Sequence, residues 1–252
     1  MSKDPNFIDD LLEGVKSNQI SIDEAKAQLS HYDELGFAKI DLHRAKRQGF
    51  PEVIFGEGKT KEQINQIIES LTQHDNVILV TRIDETKAKF VLEHHPYLQY
   101  HSVANIVSTP IEKIKKSQNY ISILCAGTSD LAVAEEAALT AEVMGIQVKR
   151  FYDVGVSGIH RLFNHIHEIR QGKVSVVIAG MEGALAIVVG GLVDHPIYAV
   201  PTSVGYGANL DGVTTLLSMI NACAPGTSVL NIDNGFGGGY NAGMIVKMIE
   251  NN

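Results

Sequence analysis

The chain has 252 residues, 44% hydrophobic and 20% charged, with a formal net charge of -8. That is an ordinary globular composition, long enough for a sizeable core in one large or two small domains. The acidic balance and the lack of a lysine/arginine block argue against nucleic acid or an anionic membrane as the main partner, whereas a phosphate-bearing small molecule stays open, because backbone N–H groups hold phosphate without a basic surface.

Residues 1–36 read as a small helical hairpin, its second helix opening with the capping-box spacing Ser21–Glu24. The stretch "MSKDPNFIDDLLEGVKSN" is too acidic and broken for a secretion signal, so the cytoplasm is the expected compartment. Residues 37–112 read as a small α/β domain. It has a short strand around Pro51–Phe55, then a helix capped by Thr60 and Gln63 with Ile64, Ile67, Ile68 and Leu71 as its apolar face. The strand "NVILVTR", the helix "DETKAKFVLEHH" and a further strand in "LQYHSVANIVS" follow, and "PIEKIKKSQN" is a polar linker. "GEGKT" resembles a phosphate loop, but G-x-x-x-x-G-K-[ST] needs glycine where Val53 stands. Arg44, Lys46, Arg47, Lys59 and Arg82 are a candidate anion patch or simply a solvated face.

From residue 119 to 252 five strand–helix units succeed one another with short connections. The strands are "YISILCAG", "QVKRFYDVG", "KVSVVIAG", "PIYAVPTS" and "TSVLNID", the last leading through "NGFGGG" to the helix "YNAGMIVKMIENN". Such a rhythm predicts a parallel sheet with helices on both faces and ligands outside the carboxyl ends of the strands. The unusual clusters "AGTSD", "DVGVSGIHR", "AGMEGA", "PTSVGYGAN" and "NIDNGFGGG" all fall at that end. Val174 to Val193 is apolar enough to span a bilayer, but it divides at "AGMEGA" around Glu182. A strand, a tight turn and a buried helix account for it better than a membrane span.

Each cluster has two readings. Ser129 and Asp130 in "GTSD" are helix caps, or part of an anion cradle with the first-turn N–H groups. In "GIHR", Arg161 suits phosphate and His160 could move protons near neutral pH. Glu182 in "GMEGAL" is a cap, or an acid/base whose pKa is raised by apolar surroundings. Of the two cysteines, Cys125 ends a core strand and reads as structural, and two thiols make no disulfide framework. Cys223 lies in line with Leu216 and Ile220, so it is a buried small hydrophobe. Alternatively, since "CAPG" ends the helix, it is a nucleophile at the rim of a pocket.

The ordered motifs "AGTSDLAVAEEAAL", "YDVGVSGIHRL", "VVIAGMEGALAIVVGGLVDHPIYAVPTSVGYGA" and "LLSMINACAPGTSVLNIDNGFGGGYNAG" closely resemble the LarB family. "DLHRAKRQGFPEVIFGEGKTKEQI" and "VILVTR" extend the resemblance over most of the chain. LarB is the pyridinium-3,5-biscarboxylic acid mononucleotide synthase of nickel-pincer cofactor biosynthesis, which serves lactate racemase maturation. The second half is more distantly similar to PurE, the aminoimidazole ribonucleotide carboxylase or mutase. "GTSD", "GIHR" and "GMEGAL" stand where PurE has its serine loop, "SAHR" and "GAGGA", and "CAPG" replaces "MPxG". Glu182 and Cys223 are the departures from PurE.

The resemblance implies a three-layer, flavodoxin-like (PurE-like) parallel-sheet domain behind a smaller α/β domain. It implies carboxylation of nicotinic acid adenine dinucleotide by CO2 or bicarbonate and hydrolysis of its phosphoanhydride, without biotin or ATP, in a homo-oligomer of the octameric kind. "GALAIVVGGLV" is then the expected intersubunit surface. Cys223 would be the nucleophile at the ligand-side edge, with Glu182 as acid/base and His160 a second candidate. Gly127, Thr128, Ser129, Asp130, Arg161, Gly205, Tyr206, Gly207, Asn234 and Gly235 would hold phosphate and ribose, with the glycine-rich loop letting the ring approach. Mg²⁺ is expected on Asp130 or Asp233. A purine-precursor carboxylase or mutase and a non-catalytic dinucleotide-binding module are the competing readings.

Overall fold

The computed structural model describes residues 7–22, 25, 32–42, 44–73 and 77–251. The helix α1 spans Phe7–Lys16. Most of the expected second helix, with Glu24 of its capping box, lies outside the described residues. An antiparallel hairpin, β1 (Tyr32–Glu34) and β2 (Lys39–Asp41), precedes a short helix α2 (Arg44–Gln48).

The first sheet has the order β3-β4-β6-β5. β3 (Ile54–Phe55) and β4 (Leu79–Thr81) are parallel; β6 (Ile106–Ser108) runs antiparallel to β4 and to β5 (Gln99–His101). The single strand expected in "LQYHSVANIVS" is therefore a hairpin, broken where Asn105 takes a left-handed φ of 52°. Thr60 and Gln63 exchange the reciprocal cap bonds at the start of α3 (Lys61–Thr72). Ile64, Ile67, Ile68 and Leu71 face inward and join Ile78 and Val80 of the β4 region and Ala88 and Val91 of α4 (Glu85–His94) in one core. The connecting segment is not freely polar: Ile111 is buried and the Ser117 N–H bonds the Gly145 carbonyl.

The second sheet is wholly parallel, in the order β11-β10-β9-β7-β8. Its strands are β7 (Tyr120–Cys125), β8 (Gln147–Phe151), β9 (Val174–Ala179), β10 (Ile197–Pro201) and β11 (Thr227–Val229). This is the flavodoxin-like order, with its topological switch between β7 and β9. Alternating side chains feed the two faces: Ile121, Ile123 and Cys125 join α5 (Leu131–Val143) and α9 (Gly235–Glu250) on one. Leu124, Val177 and Ala199 meet α6 (Ile159–Gln171), α7 (Ala184–Gly190) and α8 (Val213–Ile220) on the other. The apolar run Val174–Val193 thus splits into β9, a turn and α7, and no described helix is long and apolar enough to cross a membrane.

The C-terminal helix starts at Gly235, so "GFGGG" forms its first turn and not an extended loop. Its glycines serve helix packing. A β-carbon on Gly235 would overlap the Val133 carbonyl, one on Gly239 the Ala137 carbonyl, and one on Gly238 would sit 2.8 Å from Val176 Cγ1. Their absence lets α9 lie directly on α5 and the sheet.

Burial pushes His95, His101 and His195 below the ordinary imidazole range. Near pH 6.5 the unfolded chain therefore takes protons that the folded chain refuses. The stability linked to these residues is complete above about pH 6.5 and declines as pH falls through their depressed values. The unfolding temperature is expected to be lower at pH 5.5 than at 7.5, and a combined His101→Gln, His195→Gln change should flatten that slope. An unchanged slope in the double variant would exclude these imidazoles as its source.

Candidate active site

At the switch point, beyond the ends of β7 and β9, lies a cavity of about 250 Å³. Its walls are the turns that leave β7, β8 and β9, with Val204 from the segment after β10. After β7, Cys125 Sγ donates to the Gly127 carbonyl at 3.0 Å, and burial pushes its thiol up to about 12, so it is a structural group. Asp130, only 4% exposed, closes this turn: its carboxylate accepts the Gly127 N–H at 3.0 Å and the Thr202 hydroxyl at 2.6 Å. Burial raises its pKa in spite of these bonds. Ser129 lines the cavity beside it, and Thr128 is exposed without lining it.

After β8, the Arg161 guanidinium reaches the same cavity and pairs with Asp153. It folds over Gly158, where a β-carbon would come 2.6 Å from its Nε. His160, one residue earlier, is exposed and does not line the cavity. After β9 the chain turns sharply through Met181 (φ 53°) and Gly183 (φ 70°). Gly180 passes so close to the β10 exit that a β-carbon would lie 2.7 Å from Thr202 Oγ1. Glu182 sits on this turn at the cavity rim and is exposed. The expectation of a carboxylate buried in apolar surroundings is corrected, because the apolar residues on either side belong to β9 and α7 and point into the sheet.

Five of the expected residues thus share one cavity: Gly127, Ser129, Asp130, Arg161 and Glu182. The loop after β10 stands at the same edge. Asn209 staples it by donating to the Ser203 carbonyl at 3.2 Å and accepting from Thr215, while Gly205, Gly207 and the 82%-exposed Tyr206 face solvent. Asp233 and Asn234 line other hollows, and Gly235 is spent on packing. Gly155 and Gly180, which lie within the clusters "DVGVSGIHR" and "AGMEGA" but were not among the expected site residues, complete the cavity wall.

Cys223 is exposed, but not where the sequence suggested. It follows α8 and precedes β11, and the neighbouring Gly226 carbonyl accepts from the N–H of Ile197, the first residue of β10. That is the amino edge of the sheet. The cavity lies at the carboxyl edge, a strand length away, on the order of 15 Å. Helix direction corrects the placement: helices in this fold start at the ligand edge and end at the other, so a residue terminating one lies away from it.

Asp130 and Asp233 were the expected Mg²⁺ ligands. Asp130 is buried with both oxygens engaged, and the Asp233 carboxylate accepts the Ser203 N–H at 2.8 Å. Among the described residues no group of three His, Cys, Asp or Glu side chains is arranged to hold a metal. The pair does not fit a Mg²⁺ site of its own.

Residues 32–112 match the model of the LarB/PurE-like N-terminal domain, and residues 120–251, over half of the chain, match that of AIR carboxylase. The chain belongs to the LarB family. It is also similar to the uncharacterized protein MJ0165 of Methanocaldococcus jannaschii, with 40% identity over 253 residues covering 96% of this chain and 97% of that protein. Both LarB domains are accounted for, and the catalytic half is PurE-like, which makes this a carboxylase-type enzyme of the LarB family.

Proposed function

We propose that this LarB-family chain carboxylates C5 of the pyridinium ring of nicotinic acid adenine dinucleotide and hydrolyses the phosphoanhydride. The products are pyridinium-3,5-biscarboxylic acid mononucleotide and AMP. The observation that carries the reading is the gathering of Ser129, Asp130, Arg161 and Glu182 around one cavity at the switch point. Arg161 presents a planar fork suited to phosphate. The first-turn N–H groups beside Ser129 add dipolar attraction for the same anion.

The chemistry asks for a nucleophile. A pyridinium carbon is electrophilic and cannot attack CO2. Addition of the Cys223 thiolate forms a C–S bond and moves a ring electron pair onto nitrogen, leaving an enamine. Nitrogen then pushes density through C5, which forms the new C–C bond to CO2. Glu182 takes the C5 proton, the freed pair restores the ring double bond, and the thiolate leaves with its electrons, regenerating the pyridinium. Water then splits the phosphoanhydride.

Cys223 of one copy is too far from its own cavity, so in this reading it serves the cavity of a neighbouring copy. Support comes from its surroundings: Val213, Leu217 and Ile220 form an exposed apolar stripe on α8 leading to the thiol, at 42%, 60% and 61% exposure. A stripe of that kind on a water-facing helix marks an interface. The expected surface of α7 contributes less, since Leu185, Ala186 and Val189 are already buried within the chain.

The test is incubation of the protein with bicarbonate, Mg²⁺ and the dinucleotide, followed by mass spectrometry. A carboxylated mononucleotide and AMP are expected; unaltered dinucleotide, or conversion of aminoimidazole ribonucleotide instead, would overturn the reading. Glu182→Gln should slow the carboxylation step by about 10²-fold or more, while dinucleotide affinity stays within a few-fold. A wild-type rate would remove Glu182 from its role.

A further inference from the structure

A cavity of about 440 Å³ lies between the β5–β6 hairpin and α5, and it shares no lining residue with the active-site cavity. Tyr100, His101 and Val103 enter it from the hairpin, Glu135 and Leu139 from α5, and Tyr152 from the turn after β8. Its size falls within the roughly 300–1,000 Å³ of sites that enclose a small molecule, and such sites combine apolar walls with a few polar groups. The carboxylation chemistry makes no use of it.

The hydrogen bonds around the cavity decide what it offers. Tyr152 spends its hydroxyl hydrogen on Glu135 at 2.9 Å, and Tyr100 spends its own on Asn105 at 3.2 Å. Ser108 donates to the Thr109 carbonyl at 3.0 Å, so its oxygen accepts from His101 Nε2 at 3.1 Å. Burial holds His101 below the ordinary imidazole range. At pH 7.5 it is therefore neutral, with the proton on Nε2, and its Nδ1 is an acceptor. Ser102, exposed at the hairpin tip, can turn its hydroxyl either way. What the lining has left is acceptors and aromatic rings: the Glu135 carboxylate, the His101 Nδ1 and two phenols.

The charge points the same way. Glu135 is the one charged side chain among the lining residues. Its counter-ion is shared, because Arg150 Nη2 donates to Glu142 at 2.7 Å and to Glu135 at 3.2 Å. One guanidinium thus stands against two carboxylates, and the Lys116 ammonium approaches only Glu142, at 4.0 Å. An anion entering the cavity would meet an incompletely neutralised carboxylate and phenols whose hydrogens are already committed. A cation carrying N–H groups meets complementary groups throughout: acceptors for its hydrogens, a carboxylate for its charge and ring faces for its field.

We propose that this cavity binds a small alkylammonium ion, with the ammonium on Glu135 beside the rings of Tyr100 and Tyr152 and the apolar chain against Leu131 and Leu139. The hairpin and α5 both supply walls, so the bound ion ties the first unit to the second. The site stands apart from the dinucleotide reading and does not depend on it.

Calorimetric titration of n-butylammonium chloride into the full chain at pH 7.5 and physiological ionic strength tests it. Saturable binding of one ion per chain is expected. Butan-1-ol, which has the same shape without the charge, should bind at least tenfold more weakly. Glu135→Gln should weaken the ammonium at least tenfold. Tyr100→Leu should weaken it about fivefold, whereas Tyr100→Phe, which keeps the ring, should bind as the wild type does. The Tyr100 variants guard against Arg150 being released in Glu135→Gln, since Tyr100 lies on the other unit and bonds Asn105 there. Glu182→Gln should bind normally, which separates this cavity from the carboxylate at the active-site rim. Absence of saturable binding, equal affinity for butan-1-ol, or wild-type affinity in both Glu135→Gln and Tyr100→Leu overturns the site. Binding lost in Glu182→Gln and kept in Glu135→Gln overturns it as well.

Discussion

Cys223→Ala is expected to lower carboxylation by roughly 10³-fold or more, the cost of losing a covalent nucleophile, while dinucleotide binding and oligomeric mass stay unchanged. The thiol is exposed and its helix is anchored by other residues, with Met219 and Thr215 buried beneath it, so truncation leaves the fold intact. A sharper result comes from mixing two dead variants. Arg161→Ala lacks the phosphate fork at the cavity, and Cys223→Ala lacks the thiol at the opposite sheet edge. If each site takes its cavity from one copy and its cysteine from another, random reassembly makes about a quarter of the sites whole. Activity near a quarter of wild type is therefore expected after unfolding and refolding the variants together. Two inactive variants that stay inactive when mixed, though both assemble, would sink the shared site. Full carboxylation by Cys223→Ala would sink the covalent mechanism itself. A light-scattering mass near that of a monomer would do the same for the assembly.

The largest expected effect on stability is at Gly239. A β-carbon there would overlap the Ala137 carbonyl, its carbon and its Cα, all backbone atoms of α5. Neither helix can yield without moving off the sheet. Gly239→Ala is expected to destabilise by about 3 kcal/mol, a fall in Tm of about 6–12 °C for a chain of this size. The gain in helix propensity, about 1 kcal/mol, offsets only part of the clash. Gly243 supplies the internal control. It lies one turn later on the same helix, and a β-carbon there would meet the flexible end of Met144 at 3.1 Å. Gly243→Ala should therefore be close to neutral. Equal losses at the two positions in thermal unfolding would show that helix packing does not account for the glycine run.

These two predictions also mark how far the sequence could be read. Strand–helix alternation after Tyr120 dictated the parallel sheet, and the sheet dictated that "GTSD", "GIHR" and "GMEGAL" meet at its carboxyl edge. Local chemistry was legible too: the Thr60–Gln63 cap and the Ile64, Ile67, Ile68 and Leu71 face are set by residues within one or two turns of each other. Such features need only periodicity and capping.

What depends on contacts far apart in sequence was not legible. The glycines of "GFGGG" look like a ligand loop until α9 is seen lying on α5, about 100 residues away in the chain. Glu182 sits in the most apolar stretch of the sequence yet is exposed, because a turn with two left-handed residues swings it out of the sheet. Arg82 was one basic residue among several; only the docking of the two units gave it Glu136 and the Asp233 carbonyl as partners. Cys223 is the clearest case. Its helix-ending position was plain from "CAPG", but direction along a helix decides which edge of the sheet a terminus reaches. Sequence by itself determined the fold class, the family motifs and the cavity-forming turns. Tertiary structure alone decided which residues face the cavity, the core or solvent and which units pack together, since that follows from long-range packing, which no local pattern encodes.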